Sequence, residues 1–451
     1  MKILHLADEG GACGDEFDNS SVLLRLLESL RDSGGGKLVV GKGLWRTGPI
    51  ELYTQTELTL DEGAVLSFIP DTERYAPVLT RWEGIECHTM RPCIFSSGQH
   101  DVSITGKGRV DGNGKAWWDL FREKRARGQK VPELDIEKKL ASLNPGYRTQ
   151  SGGGGGREIQ FLRPSFVQFA NCKNVRLEGI TVSNSPFWTV HPLYCEGVII
   201  SGVTIENPHD APNTDGIDID SCCDVEITHC TIGVGDDGIV LKSGSGADGI
   251  RVNKPTKGVT VRNCTVGNGH GGIVIGSETA AGVSDVLAEN CDFLGTDRGI
   301  RIKTRRGRGG VISGLVFRNL NMEDNLCPLA INMYYRCGLN PGDEVLFSQE
   351  AMSVSAVTPH ISGITVSGIR AIGCRASAGF VAGLPESPIE NLVIEDCTFA
   401  TNENATASPD ESDMYLGIPP VTGKGFRVLN AINPVFRNVT VTGPAEPFIM
   451  S

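Results

Sequence analysis

Apolar and polar residues alternate with a period of two in short runs that recur along most of the chain. Copies read NVRLEGITV (174–182), GVIISGVTI (197–205), DVEITHCTI (224–232), GVTVRNCTV (258–266), DVLAENCDF (285–293), GLVFRNLNM (314–322), GITVSGIRA (363–371) and NLVIEDCTF (391–399). Their starts are 23, 27, 34, 27, 29, 49 and 28 residues apart, with DVSITGKGRV (101–110) and NVTVTG (438–443) as outlying copies. A period of two marks strands, and no helical pattern fills the intervals, so each strand must stack its apolar face on the next copy. The expected fold class is all-β, a right-handed parallel β-helix forming one domain over 1–451. A propeller needs four strands in ~40–45 residues, longer than most of these steps.

A solenoid needs covered ends, since open strand edges invite aggregation. The N-terminal region, 1–50, supplies a cap. Asn19, Ser20 and Ser21 offer N-cap oxygens, Val22, Leu23, Leu26, Leu27 and Leu30 follow at helical spacing, and Asp32-Ser33-Gly34-Gly35-Gly36 ends the helix. Two stretches interrupt the repeat, at 111–160 and 324–361. The first carries the charged FREKRARGQKVPELDIEKKL and a run of glycines, Gly152–Gly156. Insertions of this kind project from one face of a solenoid and often build its binding site.

Composition narrows the partners. Lys and Arg total 42 against 54 Asp and Glu, a formal charge of −12, so the mean field repels nucleic acid and anionic membranes. Fifty-seven glycines against 16 Phe, 7 Tyr and 5 Trp suit many tight turns. No apolar run approaches ~20 residues and the N-terminus shows no signal-peptide pattern, so a cytoplasmic location is expected. The 14 cysteines never form C-x-x-C, and Cys230, Cys264, Cys291 and Cys397 sit at repeated strand positions, which points to buried thiols instead of disulfides or zinc.

A further strand follows the copies from 197 onward, opened by Asp215-Gly216-Ile217, Asp237-Gly238-Ile239, Gly271-Gly272-Ile273 and Arg298-Gly299-Ile300. Neighbouring rungs lie ~4.8 Å apart, so this alignment expects Asp215 and Asp237 as vertical neighbours, with His270 above Asp236. Asp-Gly alone is turn chemistry. Three acids on one small surface cost electrostatic energy that no turn requires, and such crowding is expected to raise at least one carboxyl pKa, making a proton donor beside an acceptor. One rung on, Arg298, Arg301, Lys303, Arg305, Arg306 and Arg308 crowd eleven residues of an acidic protein. Alternation puts Arg301 and Lys303 on one face, where the guanidinium and ammonium suit a carboxylate ligand.

Asn213-Thr214-Asp215, Gly235-Asp236-Asp237, Gly269-His270-Gly271 and Arg301-Ile302-Lys303, in this order and at one-coil spacing, resemble the four motifs of the polygalacturonases, the pectin hydrolases of glycoside hydrolase family 28. The resemblance is closest to the bacterial exo-acting branch. It implies inverting hydrolysis of α-1,4-galacturonosyl bonds in oligogalacturonides without a metal or other cofactor. It implies Asp236 as general acid, Asp215 and Asp237 as the pair that activates water, and Asn213, His270, Arg301 and Lys303 around the substrate. Tyr335 is implied as a substrate contact, with Tyr334 beside it as the alternative. Three readings remain open: a rhamnogalacturonan hydrolase of the same family, a β-helical polysaccharide lyase, and a glycan-binding β-helix without catalysis.

Overall fold

The computed structural model describes residues 2–149, 155, 157–339, 342–409, 414–421 and 423–450; Gly152, Gly153, Gly154 and Gly156 of the glycine run lie outside the described residues. Its strands pair in parallel, coil upon coil, as the right-handed parallel β-helix that the repeat predicts. The chain divides into two compact units. One is Met1–Trp82, Glu86–Asp218 and Cys222–Gly235; the other is Glu83–Ile85, Ile219–Ser221 and Asp236–Ser451.

In the first unit the long strands stack a column of branched side chains in register, Leu38, Leu58, Ile104, Leu177, Ile200 and Ile227, all buried. Burying each such side chain contributes ~1.5–3 kcal/mol, so the column is a large part of the driving force for winding. The 101–110 copy, an outlier by spacing, is a regular member of this stack through its partners Leu58 and Leu177. The cap is helix α1 (Ser20–Asp32), which buries Leu23, Leu26, Leu27 and Leu30 and packs on strand Gly36–Val40. Its start differs from expectation. Asn19 is buried and its Oδ1 accepts from the Ala12 amide, while Asp18 Oδ1 takes the free Ser20 amide at 3.0 Å. The helix stops where Gly35, at φ 109°, lets its amide reach the Leu30 carbonyl; a side chain there would strike the Gln55 carbonyl.

The 111–160 interruption folds as helices α2 (Gly114–Ala126) and α3 (Asp135–Leu143). Trp117, Trp118, Phe121, Ile136 and Leu140 are buried, and Lys124 and Glu137 form a buried ion pair at 2.9 Å. Glu137 also accepts the Glu133 and Leu134 amides at the start of α3, so one carboxylate caps one helix and locks it to the other.

In the second unit a column of the same kind is Val259, Val286, Leu315, Ile364 and Leu392. Between the first and second strands of successive coils the backbone turns at Asn263, Asn290 and Asn319, with φ of 54°, 55° and 54°. Asparagine tolerates this left-handed conformation better than other side chains, which is why it recurs there. The second interruption is shorter than expected. Strand Cys327–Asn332 lies inside 324–361 yet pairs regularly with Arg298–Lys303, so the repeat breaks only between Asn332 and His360. Its Cys327-Pro328 opening lacks the Gly-Ile signature of the preceding strands, which hid it. All 14 cysteines are thiols outside any disulfide, and Cys264 and Cys291 stack within the core. No described helix is long and apolar enough to cross a membrane.

Candidate active site

Strand Asp237–Lys242 pairs with Gly271–Gly276, Asp237 opposite Gly271, and that strand pairs with Arg298–Lys303. This register brings Asp236 and His270 together at the strand openings. The His270 amide donates to the Asp236 carbonyl at 2.8 Å, and its Nδ1 lies 3.1 Å from Asp236 Oδ1. Both side chains reach solvent, Asp236 at 20% and His270 at 40% exposure. The Asp237 amide donates to the same Asp236 oxygen, which fixes the carboxyl's rotamer.

Asp237 is 0% exposed, and the two cations one face of the third strand presents converge on it. Arg301 Nη1 donates to Oδ1 at 2.7 Å, and Lys303 Nζ donates to Oδ2. The approach needs Gly271. A Cβ at that position would stand 2.5 Å from Val274 Cγ2 and 3.3 Å from Asp237 Oδ1. The Tyr335 ring lies beside the same cations, 5.6 Å from the Arg301 guanidinium and 5.4 Å from Lys303 Nζ, whereas Tyr334 packs against Arg306.

At Asp236 and Asp237 the charges act against the expected rise in a carboxyl pKa. Burial pushes Asp237 up, but Lys303 and Arg301 outweigh it and hold the carboxyl far below the usual range. Burial likewise raises Asp236, and the charge and hydrogen bond of His270 outweigh that. His270 is raised in turn, chiefly by Asp236. Opposite charges supplied by the next rungs, absent from a count of acids alone, decide the sign. A proton shared by this pair is therefore drawn toward the imidazole and away from the carboxyl.

A second buried cluster escaped the sequence reading. Lys242 Nζ lies 3.1 Å from Glu278 Oε2, and Arg308 Nη1 lies 3.8 Å from Oε1. Burial raises Glu278, yet Lys242, Arg308 and the nearby Lys303 bring its pKa down to about 2. The basic run is thus divided. Arg301 and Lys303 serve Asp237, Arg308 serves Glu278, Arg306 forms a two-pronged bond to Glu386, and Arg305 donates to the Gly338 carbonyl. Lys242 carried one signal, its position at the end of the Asp237 strand; Glu278 carried none.

In the first unit, Asp215 is buried at the end of a tight turn, its carbonyl accepting the Thr189 amide at 2.9 Å. Asn213 stands two residues before it at φ 56°, its Oδ1 accepting from Arg163 Nη2 at 2.7 Å.

Parallel coils that present a partly exposed acid bonded to histidine, with a cation-clamped carboxylate next to it, are the arrangement expected of the β-helical glycoside hydrolase class. The family model described as Glycosyl hydrolases family 28 matches residues 153–405, more than half of the chain, and the chain belongs to that family. It is 30% identical over 328 residues to a probable polygalacturonase from Vitis vinifera, covering 70% of this chain and 60% of that protein. An endo-polygalacturonase from Pectobacterium carotovorum subsp. carotovorum is 27% identical over 337 residues, covering 70% and 73%. The crystal structure of a hyperthermoactive exopolygalacturonase from Thermotoga maritima superposes with a TM-score of 0.76 at 30% identity, covering 97% of this chain and 92% of that one. The chain spans 60% of the length of the plant relatives from Vitis vinifera and Arabidopsis thaliana.

Proposed function

We propose that this protein hydrolyses α-1,4-galacturonosyl bonds of oligogalacturonides from their ends, with inversion at the anomeric carbon. The observation that carries the reading is the Asp236–His270 pair: a solvent-reachable carboxyl hydrogen-bonded to an imidazole whose hold on a proton it strengthens. Asp236 is the general acid that protonates the glycosidic oxygen, and His270 supplies or shares the proton it delivers. Asp237, held far down by two cations, is a weak base, so the larger share in activating the attacking water falls to Asp215. Asp237 keeps Arg301 and Lys303 extended, and these cations with Tyr335 receive a uronate carboxylate.

Attack from chain ends is supported by the packing of α2 and α3. Their aromatic face is buried, and Trp118 Nε1 donates to the Ser185 carbonyl at 2.9 Å, so the insertion is a fixed part of the first unit and suits a wall that closes a cleft. The similarity to the Thermotoga maritima exopolygalacturonase points the same way. Asp236→Asn should lower turnover by ~10²–10⁴-fold while leaving the fold intact. Early products from pentagalacturonate should be mono- or digalacturonate with the shortened complement. A spread of internal cuts would replace end attack by endo attack.

A further inference from the structure

The turn that carries Asp215 is held by a residue outside all four motifs. Arg163 is 0% exposed. Its Nη1 donates to the carbonyls of Pro186 at 2.9 Å and Pro212 at 2.8 Å, and its Nη2 to Asn213 Oδ1 at 2.7 Å. The guanidinium lies over two rings, 4.3 Å from the centroid of Phe121 on α2 and 5.1 Å from that of Phe187. From α2, Arg122 also donates to the carbonyl and carboxylate of Asp210, at 2.6 and 2.8 Å. The insertion therefore reaches the segment leading into Asp215 directly through Arg122 and indirectly through Phe121 against Arg163.

The grip extends one rung on. Thr214, fully buried, donates its hydroxyl to the Ala211 carbonyl at 3.0 Å and accepts the Gly235 amide at 3.2 Å. Gly235 immediately precedes Asp236, and it has no room for a side chain, since a Cβ would lie 2.3 Å from the Ala211 oxygen. A planar fork that meets three acceptors at once is a task for arginine; lysine has one nitrogen to offer.

We propose that Arg163 is a positioning residue for hydrolysis, clamping the 211–215 turn through Asn213 and Pro212, and that α2 orders this turn as well as walling the cleft. The inference rests on the roles proposed above for Asp215 and Asp236. A displacement of about 1 Å in a reacting group costs up to ~10²-fold in rate, so the effect belongs in kcat.

The test is a double-mutant cycle of Arg163→Lys and Asn213→Ala, assayed on pentagalacturonate well below the melting temperature. Arg163→Lys should lower kcat by ~10–10²-fold and change KM less than about twofold, and the double variant should be no worse than Arg163→Lys alone. Hydrogen exchange of the whole chain should be faster in Arg163→Lys at peptides covering both 208–217 and 233–238. Unchanged kcat with a lowered melting temperature, or losses that multiply in the double variant, would overturn the proposal. A wild type without turnover would defeat the functional reading instead, and exchange that stays unchanged at Gly235 would still overturn the clamp.

Discussion

Arg301 places Nη1 2.7 Å from Oδ1 of Asp237, a carboxylate with no exposed surface, and both partners are nearly dry. Lys303 shares the same carboxylate. Asp237→Asn therefore leaves two buried cations without their counter-charge, which should destabilise the chain by about 3–5 kcal/mol at neutral pH. The folded pKa of Asp237 is far below the ordinary carboxylate value, so its contribution is complete above pH ~4 and is lost as pH falls towards the folded value. Urea unfolding of both proteins at pH 7 and pH 3 checks this: the gap should be wide at pH 7 and narrower at pH 3.

The Asp236–His270 pair has the opposite pH signature on its histidine side. His270 is raised above ~6.5 chiefly by Asp236, so what it adds is present below that value and is lost as pH rises through the folded pKa. Nuclear magnetic resonance should titrate His270 above ~6.5 in the wild type and at or below ~6.5 in Asp236→Asn. The alkaline limb of the rate profile should follow the wild-type value. An unmoved histidine would separate the two residues electrostatically.

Arg301→Ala and Lys303→Ala should each depress kcat/KM for galacturonate oligomers at least tenfold more than for neutral galactosides, since only the former bring a carboxylate to the cations (~1.4 kcal/mol per tenfold). Added salt should weaken the charged substrates selectively. Equal losses on both substrates would assign these residues to holding Asp237 alone.

Asp215, Asp236 and Asp237 are oxygen donors of the type hard cations take, so independence from metal has to be measured. Activity should survive exhaustive chelation and be unchanged by added calcium. Activity lost on chelation and restored by calcium would favour a lyase.

How far the sequence alone reaches can be argued residue by residue. The pairing of Asp236 with His270, and of Asp237 with Gly271, follows from the one-coil spacing of Gly235-Asp236-Asp237 and Gly269-His270-Gly271, because a parallel ladder turns equal spacing into adjacency. The clamp on Asp237 was only half legible. Alternation placed Arg301 and Lys303 on one face, but the occupant of that face is a carboxylate of the protein itself. Arg163 with Asn213, and Lys242 with Glu278, were not legible, because they join segments outside the strand register and long side chains reach them without any period. The first coils, such as Gly36–Val40 and Thr56–Leu60, are five-residue strands between irregular turns and fell below the repeat's visibility.

The most direct test of the central claim is time-resolved proton magnetic resonance of pentagalacturonate during its first turnovers. Hydrolysis with Asp236 as acid and a carboxylate-activated water predicts a new reducing end that appears first as the β anomer and only later equilibrates to α. Appearance of the α anomer first, or of an unsaturated end without a new anomeric hydroxyl from water, would contradict the account.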